Sequence, residues 1–326
     1  MEVDVIYDMR APKFGAPRTE LYAAALEQAA WADDIGLDVL GLGEHHAAED
    51  GYNPSALILA SAMAARTRRI KIRTSILLAT LYDPVKLAED AAVAQNIANG
   101  RLLLGIGAGY RPAEHAMFGR RLEDRWKDMG EICAFLKQAW KGEPFDWRGR
   151  RVWVMPKPEP APPPILLGGE SPAAARRAAH IADGWFPPVE PKLWPPYREE
   201  CVRLGLPDPG AYPNQGPVFL WVDPDPEAAW EWLMPHVLHQ LDSYSQWTCE
   251  AYGKPAGPFA GGMTPESIKN SRSYKVMTPD QLLRFAEELG PHSVLYLNPL
   301  LAGIAPDRSW RMLKLFEHEV LPNLPR

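Results

Sequence analysis

The sequence contains little cysteine, no long apolar run and no cluster of positive charge. Only three cysteines occur in 326 residues, and their wide separation excludes a disulfide framework and a Cys-x-x-Cys metal or redox motif. No apolar run reaches the ~18 residues of a membrane span, and the acidic segment 1–7 lacks the basic patch of a signal peptide. These features predict a cytoplasmic protein that has no membrane partner.

Negative charge outnumbers positive charge along the chain. Lys and Arg total 35 against 41 Asp and Glu, which gives a formal charge of -6. No segment concentrates enough basic residues to attract a phosphate backbone, so nucleic acid is not expected as a partner. The hydrophobic fraction of 46% is instead typical of a globular protein with a sizeable core.

Short apolar strands alternate with helical patterns over the whole chain. Repeated βα units call for a parallel sheet, and eight units without an obvious break favour a closed barrel over an open sheet. We therefore predict an α/β fold, a (β/α)8 TIM barrel with insertion loops at its C-terminal face, formed by a single domain over residues 1–326. The strands are expected at 3–7, 38–43, 70–77, 102–107, 164–168, 184–186, 218–221 and 292–297.

Helix starts are marked by a capping residue followed by proline. Asn53-Pro54 and Asp83-Pro84 each place an N-cap residue before the first helical position. Residues 241–277 interrupt the pattern, because they are rich in glycine and aromatic side chains. This stretch is predicted as a loop-like insertion, too long for a plain connector, and is expected to form a lid whose aromatics line the substrate pocket.

The residues after the second strand carry the strongest signal for chemistry. In a (β/α) barrel the active site lies at the C-terminal ends of the strands, and Glu44, His45 and His46 stand at such an end. Histidine titrates near neutral pH, so His45 and His46 are predicted to be catalytic. A metal site is disfavoured because adjacent residues of an extended chain face opposite sides. A structural role for His46 is the alternative.

A glycine turn leads into a helix after the fifth strand. Gly168, Gly169 and Glu170 precede Ser171, which is expected to cap the helix that begins at Pro172. The amides of the next two residues would then be free to donate to an anion such as a phosphate. A plain capped helix without a ligand is the alternative interpretation.

The glycines of segment 105–109 do not form a dinucleotide-binding fingerprint. Tyr110 occupies the place of the third glycine, and no acidic residue follows a second strand at the required distance. Glycines at a strand end instead favour close approach of a flat ligand to the backbone. Serine hydrolase chemistry is disfavoured because a Gly-x-Ser-x-Gly elbow is absent from the sequence.

Taken in order, these motifs resemble the bacterial luciferase-like, flavin-dependent monooxygenase family over nearly the whole chain. No single segment carries the resemblance, which rests on their combination. The segments are 37–46, 53–54, 65–70, 83–90, 99–101, 105–110, 164–171 and 179–185.

The resemblance implies that flavin mononucleotide (FMN) lies across the strand ends. The flavin ring would rest against a non-proline cis peptide at Ser75-Ile76, just after Thr74. Its phosphate would lie near Gly169, Glu170 and Ser171. By position, His45 corresponds to the histidine that flanks the flavin and supports proton transfer around it.

The sequence also departs from the family pattern. Luciferase proper has a cysteine and a phosphate-binding arginine where this chain has Gly107 and Ala108, which puts light emission and that phosphate contact in doubt. Arg111 could supply the contact instead. A deazaflavin-using branch of the superfamily usually has Asp-His after the second strand, so the Glu-His-His sequence here favours ordinary flavin.

We therefore expect an FMN-dependent monooxygenase that uses reduced flavin and O₂ on a small organic substrate. A separate flavin reductase and a homodimer are the partners that the resemblance implies. Deazaflavin-dependent hydride transfer and a non-catalytic flavin-binding paralogue or subunit are the alternatives. The expected cofactor-binding residues are Glu44, Thr74, Ser75, Ile76, Gly107, Tyr110, Arg111, Gly168, Gly169, Glu170 and Ser171.

Overall fold

Strands and helices alternate along most of the chain in the computed structural model, which describes residues 1–256 and 263–325. The strands are β1 (Glu2–Tyr7), β2 (Val39–Leu42), β3 (Lys71–Thr74), β4 (Leu77–Leu78), β5 (Leu102–Gly107), β6 (Phe145–Trp147), β7 (Arg150–Val152), β8 (Ile165–Leu167), β9 (Gly184–Trp185), β10 (Asn214–Gln215), β11 (Phe219–Val222), β12 (Tyr274–Met277) and β13 (Ser293–Leu297). The helices are α1 (Arg18–Asp34), α2 (Ala56–Arg66), α3 (Pro84–Ala98), α4 (Pro112–Met117), α5 (Arg125–Ala139), α6 (Pro172–Ile181), α7 (Trp194–Arg203), α8 (Pro226–Tyr252), α9 (Pro265–Asn270), α10 (Pro279–Leu289) and α11 (Pro306–Leu315).

The chain divides into two compact units. The first unit comprises Met1–Gly41, His46–Pro54 and Pro213–Arg326. Within it the strands follow the order β12-β11-β13-β1, and β10 pairs with β13. All of these pairs are parallel, with Val3 opposite Leu295 in the register of β1 and β13. Large side chains such as those of Trp221 and Phe316 are buried in its core.

The second unit comprises Leu42–His45 and Ser55–Tyr212. Its strands follow the order β3-β5-β8-β9, with β4 paired to β5, and all of these pairs are parallel. The register places Leu78 opposite Gly107 and Ile106 opposite Leu167. The ends of β4, β5 and β8 are therefore neighbours. Strands β6 and β7 form a separate antiparallel hairpin.

The eight strands predicted from the sequence are all present, and the predicted α/β class with parallel pairing is confirmed. Strand β12 was not predicted, because its four residues lie inside the stretch expected to be a loop. Its alternating burial, with Tyr274 and Val276 buried, is nevertheless the signal of a half-buried strand.

The prediction that residues 241–277 form a loop is wrong for most of that stretch. Helix α8 continues to Tyr252, because buried side chains recur every three or four residues, as at Leu233, Val237 and Leu241. Helix α9 and strand β12 occupy much of the remainder. Residues 257–262, which include some of the predicted lid aromatics and glycines, lie outside the described residues. The lid itself and the single-domain assignment stay predictions.

Two of the three predicted caps are confirmed. Asp83 accepts hydrogen bonds from the amides of Val85 and Lys86, and Ser171 caps α6 as expected. The cap predicted at Asn53-Pro54 is wrong, since α2 begins at Ala56 after Ser55. No described helix combines the length and the apolar character that a membrane crossing requires.

Candidate active site

The ends of β3, β5 and β8 bring several predicted cofactor-binding residues together. The peptide bond between Ser75 and Ile76 is cis, as the sequence resemblance predicted. The Ser75 amide donates to the carbonyl of Leu42 at 2.7 Å. Buried Thr74 donates from Oγ1 to the carbonyl of Gly105 at 2.7 Å, which ties β3 to β5. The backbone around the cis peptide is thus held from two neighbouring strands.

Glycines surround the Ile76 side chain because there is no space for larger residues. A Cβ atom on Gly107 would lie 2.8 Å from Cγ2 of Ile76, and one on Gly168 would lie 3.2 Å from its Cδ1. A Cβ on Gly105 would lie 2.0 Å from the Thr74 carbonyl oxygen. The missing side chains therefore make room for protein atoms of the neighbouring strand, whereas the sequence pattern favoured close approach of a ligand to these glycines. Contact of Gly107 with a cofactor stays a prediction.

His45 belongs to a buried charged cluster. Its Nδ1 lies 2.8 Å from Oε1 of Glu114, and Nη1 of Arg111 lies 3.4 Å from the same oxygen. We call these three residues the Glu114 cluster. The side chain of Glu114 is fully buried, and that of His45 is only 9% exposed. The ring of Tyr110 packs edge-on against the His45 ring, with centroids 5.8 Å apart.

Glu44 is held by the protein on both of its carboxylate oxygens. Oε1 accepts from the amide of Leu78 at 3.2 Å, and Oε2 accepts from the hydroxyl of Tyr82 at 2.9 Å. Burial, with Glu44 beside the ring, raises the pKa of Tyr82 well above its usual value, so this hydroxyl stays a donor. These bonds give Glu44 a structural role at the end of β2, and its predicted cofactor contact stays a prediction.

His46 belongs to the first unit, whereas His45 belongs to the second. The His46 side chain is buried. Its catalytic role stays a prediction, as does the structural alternative.

The turn before α6 differs from the prediction in one respect. The Ala174 amide donates to Oγ of Ser171 at 3.1 Å, so it is not free to bind an anion as expected. Ala173, the other residue whose amide was expected to bind an anion, is exposed, and its anion contact stays a prediction. Glu170 accepts from the Val189 amide with both carboxylate oxygens at 3.1 Å, which fixes the turn.

Sequence reasoning missed Glu114 and His115, which lie in α4 just after β5. His115 is buried, with Nδ1 placed 3.2 Å from the Arg111 carbonyl oxygen. A carboxylate three residues after an arginine, at the C-terminal end of a predicted strand, was the available signal for Glu114. The pairing of Glu114 with His45 spans 69 positions of sequence and has no local signature.

Sequence reasoning also missed a second charged cluster, which lies in the first unit. We call it the Arg10 cluster. Nη1 of fully buried Arg10 lies 2.9 Å from Oδ2 of Asp50, and Nε lies 3.6 Å from Oδ2 of Asp8. His239 contacts the same Asp50 oxygen at 2.7 Å. The guanidinium also lies 4.7–5.0 Å from the ring centroids of Tyr52, Tyr244 and Trp247.

The pKa values of the two carboxylates that flank Arg10 are shifted in opposite directions. Burial raises the pKa of Asp8 to about 6, although Arg10 opposes the shift. Burial also acts on Asp50, but hydrogen bonding from His239 and the charge of Arg10 outweigh it and hold the Asp50 pKa below its ordinary value. Asp8 and Arg10 directly follow β1, so the strand-end rule that pointed to Glu44 and His45 would also have found them.

Comparisons with known proteins place this chain in a family. The family model described as luciferase-like monooxygenase matches residues 1–256. The chain is 31% identical over 194 residues to the F420-dependent glucose-6-phosphate dehydrogenase of Amycolatopsis mediterranei (strain U-32), covering 55% of this chain and 56% of that protein. It is 30% identical over 149 residues to the flavin-dependent trigonelline monooxygenase, oxygenase component, of Acinetobacter baylyi, covering 45% and 41%. The matches thus span about half the length of these relatives.

The fold is shared with solved structures over the full chain. The oxygenating constituent of 3,6-diketocamphane monooxygenase from the CAM plasmid of Pseudomonas putida, in complex with FMN, matches with a TM-score of 0.76 and 20% identity. That match covers 100% of this chain and 99% of the other. The family resemblance seen in the sequence is confirmed, because the family model covers well over half of the residues. The chain belongs to the luciferase-like monooxygenase family.

Proposed function

We propose that this chain is a flavin-dependent oxidoreductase, and specifically a monooxygenase that uses reduced FMN and O₂ on a small organic substrate. The observation that carries the proposal is the convergence of the β3, β5 and β8 ends, where Thr74 bonds to Gly105 and the glycines Gly107 and Gly168 enclose Ile76. The trigonelline monooxygenase among the relatives supports the oxygenase reaction, and its designation as an oxygenase component supports a separate reductase partner.

The residues at these strand ends fit a flat cofactor that carries a phosphate. Ser75, Ile76, Gly107, Tyr110 and Gly168 are all half-buried, so each offers some surface to a ligand. The ring would rest against this surface. Thr74 is buried beneath it and would act by holding the backbone rather than by touching the cofactor.

The phosphate would lie at the turn formed by Gly169, Glu170 and Ser171. The N-terminus of α6, where Ala173 is exposed, carries the positive end of the helix dipole, which favours an anion at this turn. Arg111, at the end of the neighbouring strand, would supply positive charge in addition to its pairing with Glu114.

His45 would hold and move the proton that the reaction requires. When reduced FMN is bound, it would supply the oxygen chemistry, since such chemistry belongs to the cofactor rather than to side chains. The protein would orient the flavin, exclude water and exchange a proton through His45. Because Glu44 and Thr74 are each held by hydrogen bonds, the strand ends on which the flavin would rest are fixed before it binds.

Deazaflavin-dependent hydride transfer is the second candidate function. The dehydrogenase from Amycolatopsis mediterranei favours it, because that protein aligns over a longer stretch than the monooxygenase does. The two candidates share the barrel and differ in the cofactor, so cofactor preference separates them. A non-catalytic flavin-binding paralogue would bind a flavin and turn over nothing.

A fluorescence titration with oxidised FMN, anaerobically reduced FMN and the deazaflavin tests these proposals. Tighter binding of reduced FMN, followed by O₂-dependent product formation with a reductase, supports the monooxygenase. Preference for the deazaflavin would overturn it in favour of hydride transfer. The variant His45→Asn should impair turnover, whereas His180→Asn should not, because His180 is an exposed histidine paired with Glu200 at 2.6 Å. Full activity of His45→Asn would contradict the role given to His45.

We also propose that the protein is a cytoplasmic homodimer. Ile58 on α2 and Val93 and Ile97 on α3 are exposed apolar side chains on two helices that contact each other. Sedimentation equilibrium should give twice the chain mass, and Val93→Lys should lower it. A monomeric mass for the unaltered protein would contradict this proposal.

A further inference from the structure

Glu114 stands at the centre of the Glu114 cluster, because both of the cluster's described polar contacts are made to it. Both His45 and Arg111 reach the same oxygen, Oε1, at 2.8 and 3.4 Å. Its side chain is fully buried, and the His45 side chain is almost so. A hydrogen bond of this length between buried groups fixes the orientation of the ring.

The charges in the cluster determine which nitrogen of His45 carries hydrogen. A buried carboxylate is costly unless it is paired, and Arg111 supplies the positive charge that keeps Glu114 ionised. An ionised carboxylate only accepts hydrogen bonds. Nδ1 of His45 must therefore be the donor in the contact with Glu114, and the neutral ring is held with hydrogen on Nδ1.

We propose that Glu114 is the positioning residue for His45: it holds the hydrogen on Nδ1 and leaves Nε2 as the atom that gains and loses the proton. This inference deepens the proposed function, on which its catalytic meaning rests. The arrangement has the same logic as a carboxylate that orients a catalytic or metal-binding histidine, where the second nitrogen does the chemistry. Glu114 itself transfers no proton.

The other groups around His45 do not change this assignment. Glu44 and His46 adjoin His45 in the sequence, and Tyr110, Arg111 and Glu114 take part in its described contacts or in those of Glu114. Glu44 is engaged by Leu78 and Tyr82, and Tyr110 presents a ring edge. In the described contacts, the carboxylate oxygen at hydrogen-bond distance from Nδ1 belongs to Glu114.

The tautomer of His45 can be measured directly on the unaltered protein. In a long-range ¹H–¹⁵N spectrum of ¹⁵N-labelled protein, we expect protonated Nδ1 and unprotonated Nε2 above the pH at which His45 titrates. Hydrogen on Nε2 under the same conditions would overturn the proposal. This measurement needs no variant and no cofactor.

The variant Glu114→Gln keeps the size of the side chain and removes its charge. We expect the His45 titration to move to lower pH by about one unit or more, since a nearby carboxylate favours the charged ring, and the ring to become a mixture of tautomers. Glu114→Asp keeps the charge, so the His45 titration of this variant should lie closer to that of the unaltered protein than the titration of Glu114→Gln does. A folded Glu114→Gln protein with unchanged His45 signals would contradict the proposal.

The Arg10 cluster supplies a matched control, because it contains a second histidine paired with a carboxylate. Asp50→Asn should change the ring ¹⁵N signals of His239, which contacts Asp50, and leave those of His45 unchanged, and Glu114→Gln should do the reverse. Changes in the ring signals of both histidines in either variant would indicate a general structural change and would overturn a specific role for Glu114.

The flavin titration separates this inference from the proposed function. A protein that has the expected His45 tautomer but binds neither flavin nor deazaflavin leaves the role of Glu114 intact and refutes the proposed function. A protein that binds reduced FMN but has hydrogen on Nε2 of His45 supports flavin binding in the proposed function and refutes the role given to Glu114.

Discussion

Two buried clusters in this chain combine a histidine, an arginine and a carboxylate, but they have different centres. In the Glu114 cluster the histidine and the arginine contact one carboxylate oxygen at 2.8 and 3.4 Å. In the Arg10 cluster the corresponding distances are 2.7 and 2.9 Å. The arginine of the Arg10 cluster additionally faces a second carboxylate and three aromatic rings.

The difference shows that one set of side-chain types serves two purposes. Arg10 is the centre of its cluster: it joins the segment after β1 to residues 46–54 and to the end of α8, because its contacts come from all three. In the Glu114 cluster the carboxylate is the centre, and its contacts serve to hold one histidine. We therefore expect changes in the Arg10 cluster to affect stability and changes in the Glu114 cluster to affect the state of His45.

The largest effect is expected from Arg10→Met. This change leaves Asp8 and Asp50 buried without their cation, and breaking a buried pair typically costs about 3–5 kcal/mol. Urea denaturation should show a loss of that size in the free energy of unfolding. Arg198→Met is the control, because its pair with Asp208 is exposed and should contribute less than about 1 kcal/mol. Equal effects of the two changes would contradict the central role of Arg10.

The pH dependence of stability should separate the two carboxylates that flank Arg10. Burial raises the pKa of Asp8 to about 6, so the folded protein binds this proton more tightly than the unfolded chain does. The stability that Asp8 contributes is therefore complete below about pH 4 and is lost as pH rises through 6.

Asp8→Asn removes this titration. Relative to the unaltered protein, the variant should gain about 2 kcal/mol between pH 4.5 and pH 7.5, since one pKa unit corresponds to about 1.4 kcal/mol and part of the change is already complete at pH 4.5. Asp50→Asn should change little between these two pH values, because the pKa of Asp50 is lowered and its contribution is lost only as pH falls below about 4. Thermal or urea unfolding at pH 4.5 and pH 7.5 measures the Asp8 effect, and unfolding below pH 4 measures the Asp50 effect. A difference for Asp8→Asn that does not vary with pH would contradict the assignment.

A smaller effect is expected from alanine at the glycine next to each cluster. Gly109 and Gly51 both have φ of +68°, where a side chain costs on the order of 1 kcal/mol or more. A Cβ on Gly109 would also lie 2.9 Å from Cε1 of the buried His115 ring. A Cβ on Gly51 would meet the end of the flexible Arg18 side chain at 2.6 Å.

The buried His115 ring cannot move easily away from a Cβ on Gly109, whereas the end of the Arg18 side chain can move away from a Cβ on Gly51. Gly109→Ala should therefore destabilise the protein by about 2 kcal/mol and Gly51→Ala by about 1 kcal/mol. Urea denaturation of the two variants in parallel measures the difference. A larger loss for Gly51→Ala would show that the Arg18 side chain is held more firmly than the His115 ring.

Much of the fold could be predicted because its signals are local. Short apolar runs predicted the strands, and Asp83-Pro84 and Ser171-Pro172 predicted the starts of two helices. The end of α8 could not be predicted in this way, because Tyr244 and Trp247 were interpreted as loop aromatics. They pack on Arg10, more than 230 positions earlier in the sequence, and on Tyr52, and such distant contacts have no local signature.

The candidate site was predictable to the extent that strand ends and family resemblance specify it. These arguments gave His45 and the cis peptide at Ser75-Ile76, which the structure contains. They did not give Glu114, because its importance depends on a partner 69 positions away. They also predicted two free amides at the start of α6, which is wrong for Ala174, since its amide donates to the Ser171 side chain.

The smallest expected effect concerns the aromatic side of the Arg10 cluster. The hydroxyls of Tyr52 and Tyr244 are 3.1 Å apart, and both rings also face the guanidinium. Tyr244→Phe removes the hydroxyl contact and keeps the ring, so the loss should be about 1 kcal/mol, the usual contribution of one such hydrogen bond. Tyr244→Leu removes the ring as well and should cost more. If the two variants are equally stable in urea, the ring contributes little, and the carboxylates alone hold Arg10. A larger loss for Tyr244→Leu supports an arginine held on one side by charge and on the other by aromatic faces.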